Sequence, residues 1–201
     1  GLQRITVSLD SLDDEIFKSM NDVGVPASAI LAGIYAARDA GLAPIKVNAV
    51  VKRGVNDHTM VDLARHFKGT GIIVRFIEFM DVGATNGWRM DHVVPAREII
   101  DRISAELPLE PAEPNYRGEV ARRWRYRDGT GEIGVITSIT EPFCGDCTRA
   151  RLRTLLRNGS SDAGIATFLD SVWRPRNDRY SEVRSEATAG LRKVEMSHIG
   201  G

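Results

Sequence analysis

Cys144 and Cys147 are the two cysteines of a 201-residue chain, and they are spaced C-x-x-C. Two thiolates at that spacing can share one metal, and a zinc or cluster site needs three or four protein ligands. The histidines, His58, His66, His92 and His198, have no ligand spacing to the pair. Exchange chemistry of the thioredoxin kind would need an opening strand that is not in the right place. A metal edge, a redox pair and two inert buried thiols therefore all remain open. So few cysteines exclude a disulfide scaffold.

Arg149 and Arg151 follow closely. In an extended segment two such side chains project to one face, which suits capture of a phosphate or carboxylate; two solvated surface arginines are the plain alternative. Lys46 interrupts an otherwise apolar run. A buried lysine is costly unless it meets an anion, whereas a lysine on an edge strand is not. Ser8 and Asp10 stand at a strand end, where they either bind ligand hydroxyls or cap the next helix. Met80 also ends a strand and is either core or a cofactor contact. Gly200-Gly201 reads by itself as a frayed terminus.

The elements that must position these residues follow from the hydropathy pattern. Residues 4–9, 45–51 and 72–79 are short β-branched and apolar runs, the pattern of buried strands. Helical segments lie between them: one opening at 10–15, one over 26–40 with Pro26 early and Gly41 just past its end, and one capped by Asn56 or Asp57 and running to Phe67. Strand alternating with helix predicts βαβ units on a parallel sheet, whose ligands gather beyond the C-terminal strand ends. Lys46 then faces the interior of a barrel. After Met80 the texture changes to a glycine-bearing loop at 81–91, a short helix from Pro95, and a proline- and acid-rich linker at 108–114. A hairpin turns at 128–131, and a helix covers 162–173.

Lys+Arg and Asp+Glu both number 27, so the formal net charge is zero. That argues against a protein that coats nucleic acid or lies on a membrane surface. No apolar run approaches membrane-span length, and the N-terminus has no signal-peptide pattern, which predicts a cytoplasmic protein. The chain opens without Met and enters a strand at once, which reads as a fragment.

Five strings, in order and over nearly the whole chain, resemble the molybdenum cofactor biosynthesis protein A family of radical S-adenosylmethionine GTP 3′,8-cyclases. They are Arg4–Leu12, Lys46–Asn56, Arg75–Met80, Cys144–Leu152 and Arg192–Gly201. The resemblance implies an α/β fold. Residues 1–90 would be the C-terminal half of a partial (βα) barrel of the radical S-adenosylmethionine type, and 91–201 an α+β cluster-binding region. In the family an adenosyl radical removes the 3′ hydrogen of GTP, and C3′ then attacks C8 of the base. Lys46, Arg149 and Arg151 would contact GTP, and Ser8 and Met80 S-adenosylmethionine. Cys144 and Cys147 would be two of three cysteines holding a [4Fe–4S] cluster with an open iron for guanine, and the Gly200-Gly201 tail would reach into the active site. No residue of the chain is assigned to the bond-making step itself.

Two parts of the family pattern are absent. The C-x-x-x-C-x-x-C motif of the radical-generating cluster would precede Gly1, and the third cysteine would lie in a hairpin after Leu152, which reads as an internal deletion. The expectation is a truncated cyclase chain, inactive alone. The alternative is a non-catalytic remnant that binds a nucleotide or a partner. A zinc protein using the C-x-x-C pair is a third reading. A homodimer, or a complementing N-terminal barrel segment, would be the protein partner.

Overall fold

The computed structural model describes residues 1–21, 24–80, 87–141 and 161–173. Strand β1 (Ile5–Ser8) leads through α1 (Asp14–Met20) and α2 (Ala27–Asp39) to β2 (Ile45–Val51). Then come α3 (Met60–Phe67), β3 (Ile73–Glu78), a 3₁₀ turn at Met90–His92 and α4 (Ala96–Glu106). Strands β4 (Leu109–Ala112), β5 (Arg122–Tyr126) and β6 (Glu132–Ile136) follow, and α5 (Asp162–Trp173) is the last described element.

All six strands form one sheet in the order β1-β2-β3-β6-β5-β4. β1, β2, β3 and β6 run parallel, while β5 and β4 are antiparallel additions. The fold is thus mixed α/β, as the alternation of strand and helix required. β2 alternates buried and half-buried residues along its length. Its buried set, Ile45, Val47, Ala49 and Val51, packs with Val74 and Phe76 of β3 and Ile133 of β6 against Phe17, Ile34, Leu63, Phe67, Ile99 and Ile103 from α1 to α4. Helices therefore cover one face of the sheet. The other face carries Thr6, Ser8, Lys46, Asn48, Ile73 and Arg75, all half-buried or exposed.

Local chemistry explains the helix starts. Asp13 caps α1 by accepting the N–H groups of Glu15 and Ile16, both at 2.9 Å. Pro26 stands at the α2 N-cap, and Gly41 takes φ +81° just beyond its end, which a side-chain-bearing residue adopts only with strain.

Two sequence expectations are corrected and one open alternative is closed. Residues 108–114 are not only linker: Leu109–Ala112 is an edge strand paired with β5, and Pro111 is tolerated because an edge strand need not donate on its free side. Neither Asn56 nor Asp57 caps α3, whose N-cap position is Thr59. The Asn56 amide is spent holding strand ends together, and Asp57 pairs with Arg102 at 3.1 Å. Lys46 does not lie on an edge, since β2 pairs with β1 on one side and β3 on the other.

Candidate functional site: the open face of the sheet

Strand register decides which side chains meet on the open face. Ser8 is opposite Asn48, Asn48 opposite Arg75, and Arg75 opposite Gly134 of β6. One row thus crosses four strands. The adjoining row joins Thr6, Lys46 and Ile73. The Arg75 guanidinium lies across the first row, its Nε donating to Asn48 Oδ1 at 2.9 Å. Gly134 makes room for it. A Cβ at that position would sit 3.0 Å from Arg75 Cγ and 3.1 Å from Ala121 Cβ, too close for either to stay in place.

The electrostatics of this face are uneven. On β5, Arg123 pairs with Glu132, with Nε to Oε1 at 3.1 Å, and Arg125 approaches Glu110 at 3.8 Å. Lys46 forms no ion pair among the described residues. Burial lowers its pKa below the usual lysine value, and the positive charge of Arg75 lowers it further; Glu119 and Glu132 oppose the shift, and Arg4 adds to it. An ammonium group disfavoured by desolvation and by a neighbouring cation is stabilised when an anion arrives.

The C-terminal ends of β1 and β2 are tied by polar side chains. Asp10 accepts the N–H of Val50 at 2.8 Å. Asn56, almost fully buried, donates to the carbonyls of Asp10 and Val50 at 2.8 Å each and accepts the N–H of Lys52 at 2.8 Å. Asp10 is therefore not the cap of α1, whose N-cap is Asp13. Burial raises its carboxyl to about 6, partly offset by the Val50 hydrogen bond. Beyond these ends Phe79, Trp88 and Val93 form a small apolar cluster with Val50 and Ile139, and the Trp88 indole donates to the Phe79 carbonyl at 2.9 Å.

Ser8 and Lys46 share the open face. Ser8 ends β1, whereas Lys46 lies near the start of β2. Met80, half-buried, follows the end of β3. Met80 comes seven positions after Ile73, the register partner of Lys46, roughly 20 Å along the chain direction. Cys144, Cys147, Arg149, Arg151, Gly200 and Gly201 lie outside the described residues, as does His198. Among the described residues no group of three His, Cys, Asp or Glu side chains is placed to hold a metal ion. A cavity of about 530 Å³, lined by residues such as Pro95, Ile100, Trp124 and Val135, opens on the helix-covered side and contains none of the predicted site residues.

Sequence reasoning missed Asn48, Arg75 and Gly134. The signal was present: Arg75 interrupts an apolar strand as Lys46 does, and a period of two puts both on one face once the register is known.

The family model described as Molybdenum Cofactor Synthesis C matches residues 72–156. A protein named GTP 3′,8-cyclase from Acidothermus cellulolyticus is 48% identical, with 100% of this chain and 67% of the relative aligned. This chain belongs to the GTP 3′,8-cyclase family. Family members of the same name from Xanthomonas campestris pv. campestris strain 8004 and Staphylococcus carnosus are 45% and 40% identical, again over 100% of this chain and over 64% and 65% of their own lengths. The chain thus spans about two thirds of the length of these family members. The aligned spans, 244, 219 and 223 positions, exceed the 201 residues of the chain, so the family alignments contain positions this chain does not fill.

A [4Fe–4S] cluster and S-adenosylmethionine are the groups the family resemblance implies. Thiolates suit iron–sulfur ligation, but this chain has two cysteines. A cluster held by three cysteines of one chain does not fit it. No helix among the described residues is long and apolar enough to cross a membrane.

Proposed function

We propose that the open face of the sheet is a GTP site and that the chain takes part in the 3′,8-cyclisation for which its relatives are named. The observation that carries this is the half-buried group of Lys46, Asn48 and Arg75 on two inner strands, where the lysine charge is disfavoured until an anion is present. Arg149 and Arg151 add two cations for the triphosphate. Ser8 and Met80 hold S-adenosylmethionine at the C-terminal ends of the parallel strands, the end of such sheets where ligands bind. Lys46 lies roughly 20 Å from Met80 but only two residues along the face from the Ser8–Asn48 register, so the nucleotide phosphates lie toward the start of β2. Asn48 supplies an amide between the two ends.

The sheet is half of a partial (βα) barrel of the radical S-adenosylmethionine type. Its support is the winding: β1, β2, β3 and β6 follow one another in a single direction, with all crossover helices on one face. In this reading residues 1–90 supply β1 to β3 of the barrel, 91–201 are the cluster-binding region, which adds β6 to the same sheet, and the Gly200-Gly201 tail enters the active site. Cys144 and Cys147 fill two ligand places of a cluster. The matching protein partners are a cysteine-bearing barrel segment docked along the free edge of β1 and a second copy of the chain. The cytoplasm, where thiols stay reduced, is the compartment that suits this chemistry.

Calorimetric titration with GTP tests the site. Binding by the parent chain, weakened at least about tenfold in Lys46→Met and Arg75→Ala, is expected from the loss of a charge-assisted contact. Equal affinity in all three proteins would refute the assignment. Reconstitution with iron, sulfide, reductant and S-adenosylmethionine tests catalysis: the chain alone is expected to release no 5′-deoxyadenosine, and release would show that it is a complete enzyme.

A further inference from the structure

Trp88 is buried, but not in the main core. It packs with Phe79 and Val93, and Val50 and Ile139 close the group. These residues come from the ends of separate elements. Val50 belongs to β2, Phe79 lies just past β3, Val93 stands before α4, and Ile139 lies just past β6. A small apolar plug thus sits where the parallel strands stop. The backbone of Lys52 bridges to Val93 and ties the end of β2 to the same plug.

Apolar contact holds its members close without fixing the direction of any peptide. The indole adds direction. Its N–H donates to the Phe79 carbonyl at 2.9 Å, and the bond is buried. Phe79 lies beyond the last pairs of β3 with its neighbours, Val51 with Glu78 on one side and Ile77 with Ile136 on the other. A buried carbonyl that has left the ladder needs another donor. The acceptor met by the indole is therefore the main chain at the step into Met80. A peptide group is planar, so a carbonyl held at Phe79 fixes the plane of the Phe79–Met80 peptide and the direction in which Met80 sets out.

The residue before Phe79 is pinned as well. Glu78 is fully buried, and its carboxylate accepts the N–H groups of Ala96, Ile139 and Thr140 at 2.8, 2.7 and 2.8 Å. Directional bonds to three backbone groups keep the end of β3 from sliding against α4 and the exit of β6. With the strand end held there, the peptide after Phe79 is turned by Trp88.

We propose that Trp88 is a positioning residue of the strand-end site: its indole N–H sets the Phe79–Met80 peptide and so places Met80 against the adenosyl ligand. This role rests on the reading of Ser8 and Met80 as S-adenosylmethionine contacts. Trp88 acts through Met80 and does not touch the ligand itself.

Calorimetric titration with S-adenosylmethionine in a double-mutant cycle tests it. Trp88→Phe keeps an aromatic ring in the plug and removes the N–H. It is expected to weaken S-adenosylmethionine binding about tenfold and to leave GTP affinity unchanged. In the Trp88→Phe background Met80→Ala should lose most of its effect, because Met80 is already displaced, while Ser8→Ala should cost as much as in the parent. If Trp88→Phe fails to fold, replacement of Trp88 by benzothienylalanine fills the indole volume with sulfur in place of the N–H and decides the same cycle. Unweakened binding in the altered protein, or an undiminished cost of Met80→Ala in it, would overturn the positioning role and leave the strand-end site standing. Loss of GTP affinity in step with S-adenosylmethionine affinity would show general loosening and also overturn the role. If the parent binds no S-adenosylmethionine, or binds it equally well after Met80→Ala, the strand-end reading itself fails, and the role of Trp88 with it.

Discussion

The two faces of the central strands are made from alternate residues of the same short runs, yet they differ in almost every respect. On one face of β2, Ile45, Val47, Ala49 and Val51 are buried under helices; on the other, Lys46, Asn48 and Val50 are half-open. The covered face is apolar and closely packed, so its energy comes from removing hydrocarbon from water. The open face holds charged and amide groups: Arg75 donates to Asn48, and Lys46 forms no ion pair among the described residues. The comparison teaches that apolar packing and polar chemistry are separable in this chain at a spacing of one residue: neighbours in sequence enter different environments because a strand turns successive side chains to opposite sides.

That separation can be broken experimentally. The largest effect is expected on the covered face, where Phe76→Ala should destabilise the fold by about 4 kcal/mol through loss of burial and the cavity left behind. Denaturant melts read this directly, and a loss below about 1 kcal/mol would mean that the helices do not pack as described.

Asp10 gives a second, pH-dependent contrast. Its carboxyl is raised from 3.8 to about 6 in the fold, so ionisation is easier in the unfolded chain. Its contribution to stability therefore falls as pH rises through the window from 3.8 to about 6, and stays low above it. Asp10→Asn keeps an acceptor for the Val50 N–H and cannot ionise. It should be more stable than the parent by about 2 kcal/mol at neutral pH and indistinguishable from it near pH 4. A stability difference that does not change with pH would contradict this environment for Asp10.

On the open face the signs reverse: Lys46→Met and Arg75→Ala should leave thermal melting nearly unchanged while lowering GTP affinity about tenfold. The smallest effect sharpens the comparison. Gly134→Ala adds one methyl group against the Arg75 stem, and should lower GTP affinity about threefold with little further loss in Arg75→Ala. Additive losses in that pair would show that Gly134 acts on something other than the arginine.

Periodicity placed the parallel strands, the helices between them and the hairpin over 128–131 close to where they stand, because βαβ units and tight turns are written in local pattern. It failed at β4, since an edge strand with Pro111 looks like linker unless its partner β5 is known. Asn56 was misread for a similar reason. Asn-Asp before a helix signals a cap locally, but the contacts that claim the Asn56 side chain come from β1 and the end of β2. Of the candidate site, Lys46, Ser8 and Met80 were legible as polar or soft residues at strand positions. Arg75, Asn48 and Gly134 were not, because their meaning is a row across strands and not a spacing along one.

The sequence by itself determined the alternation of strand and helix, the apolar stripe that closes the core, the residue types able to meet an anion and membership of a family by ordered strings. Only the tertiary structure decided that Lys46 lies on an inner strand, that Arg75 lies in the next row across Asn48, and that Glu78 gathers the exits of β3 and β6. The physical reason is that hydropathy period is a property of neighbours in the chain, whereas register, burial and the partner of a buried carboxylate are fixed by segments that meet only when the sheet has formed.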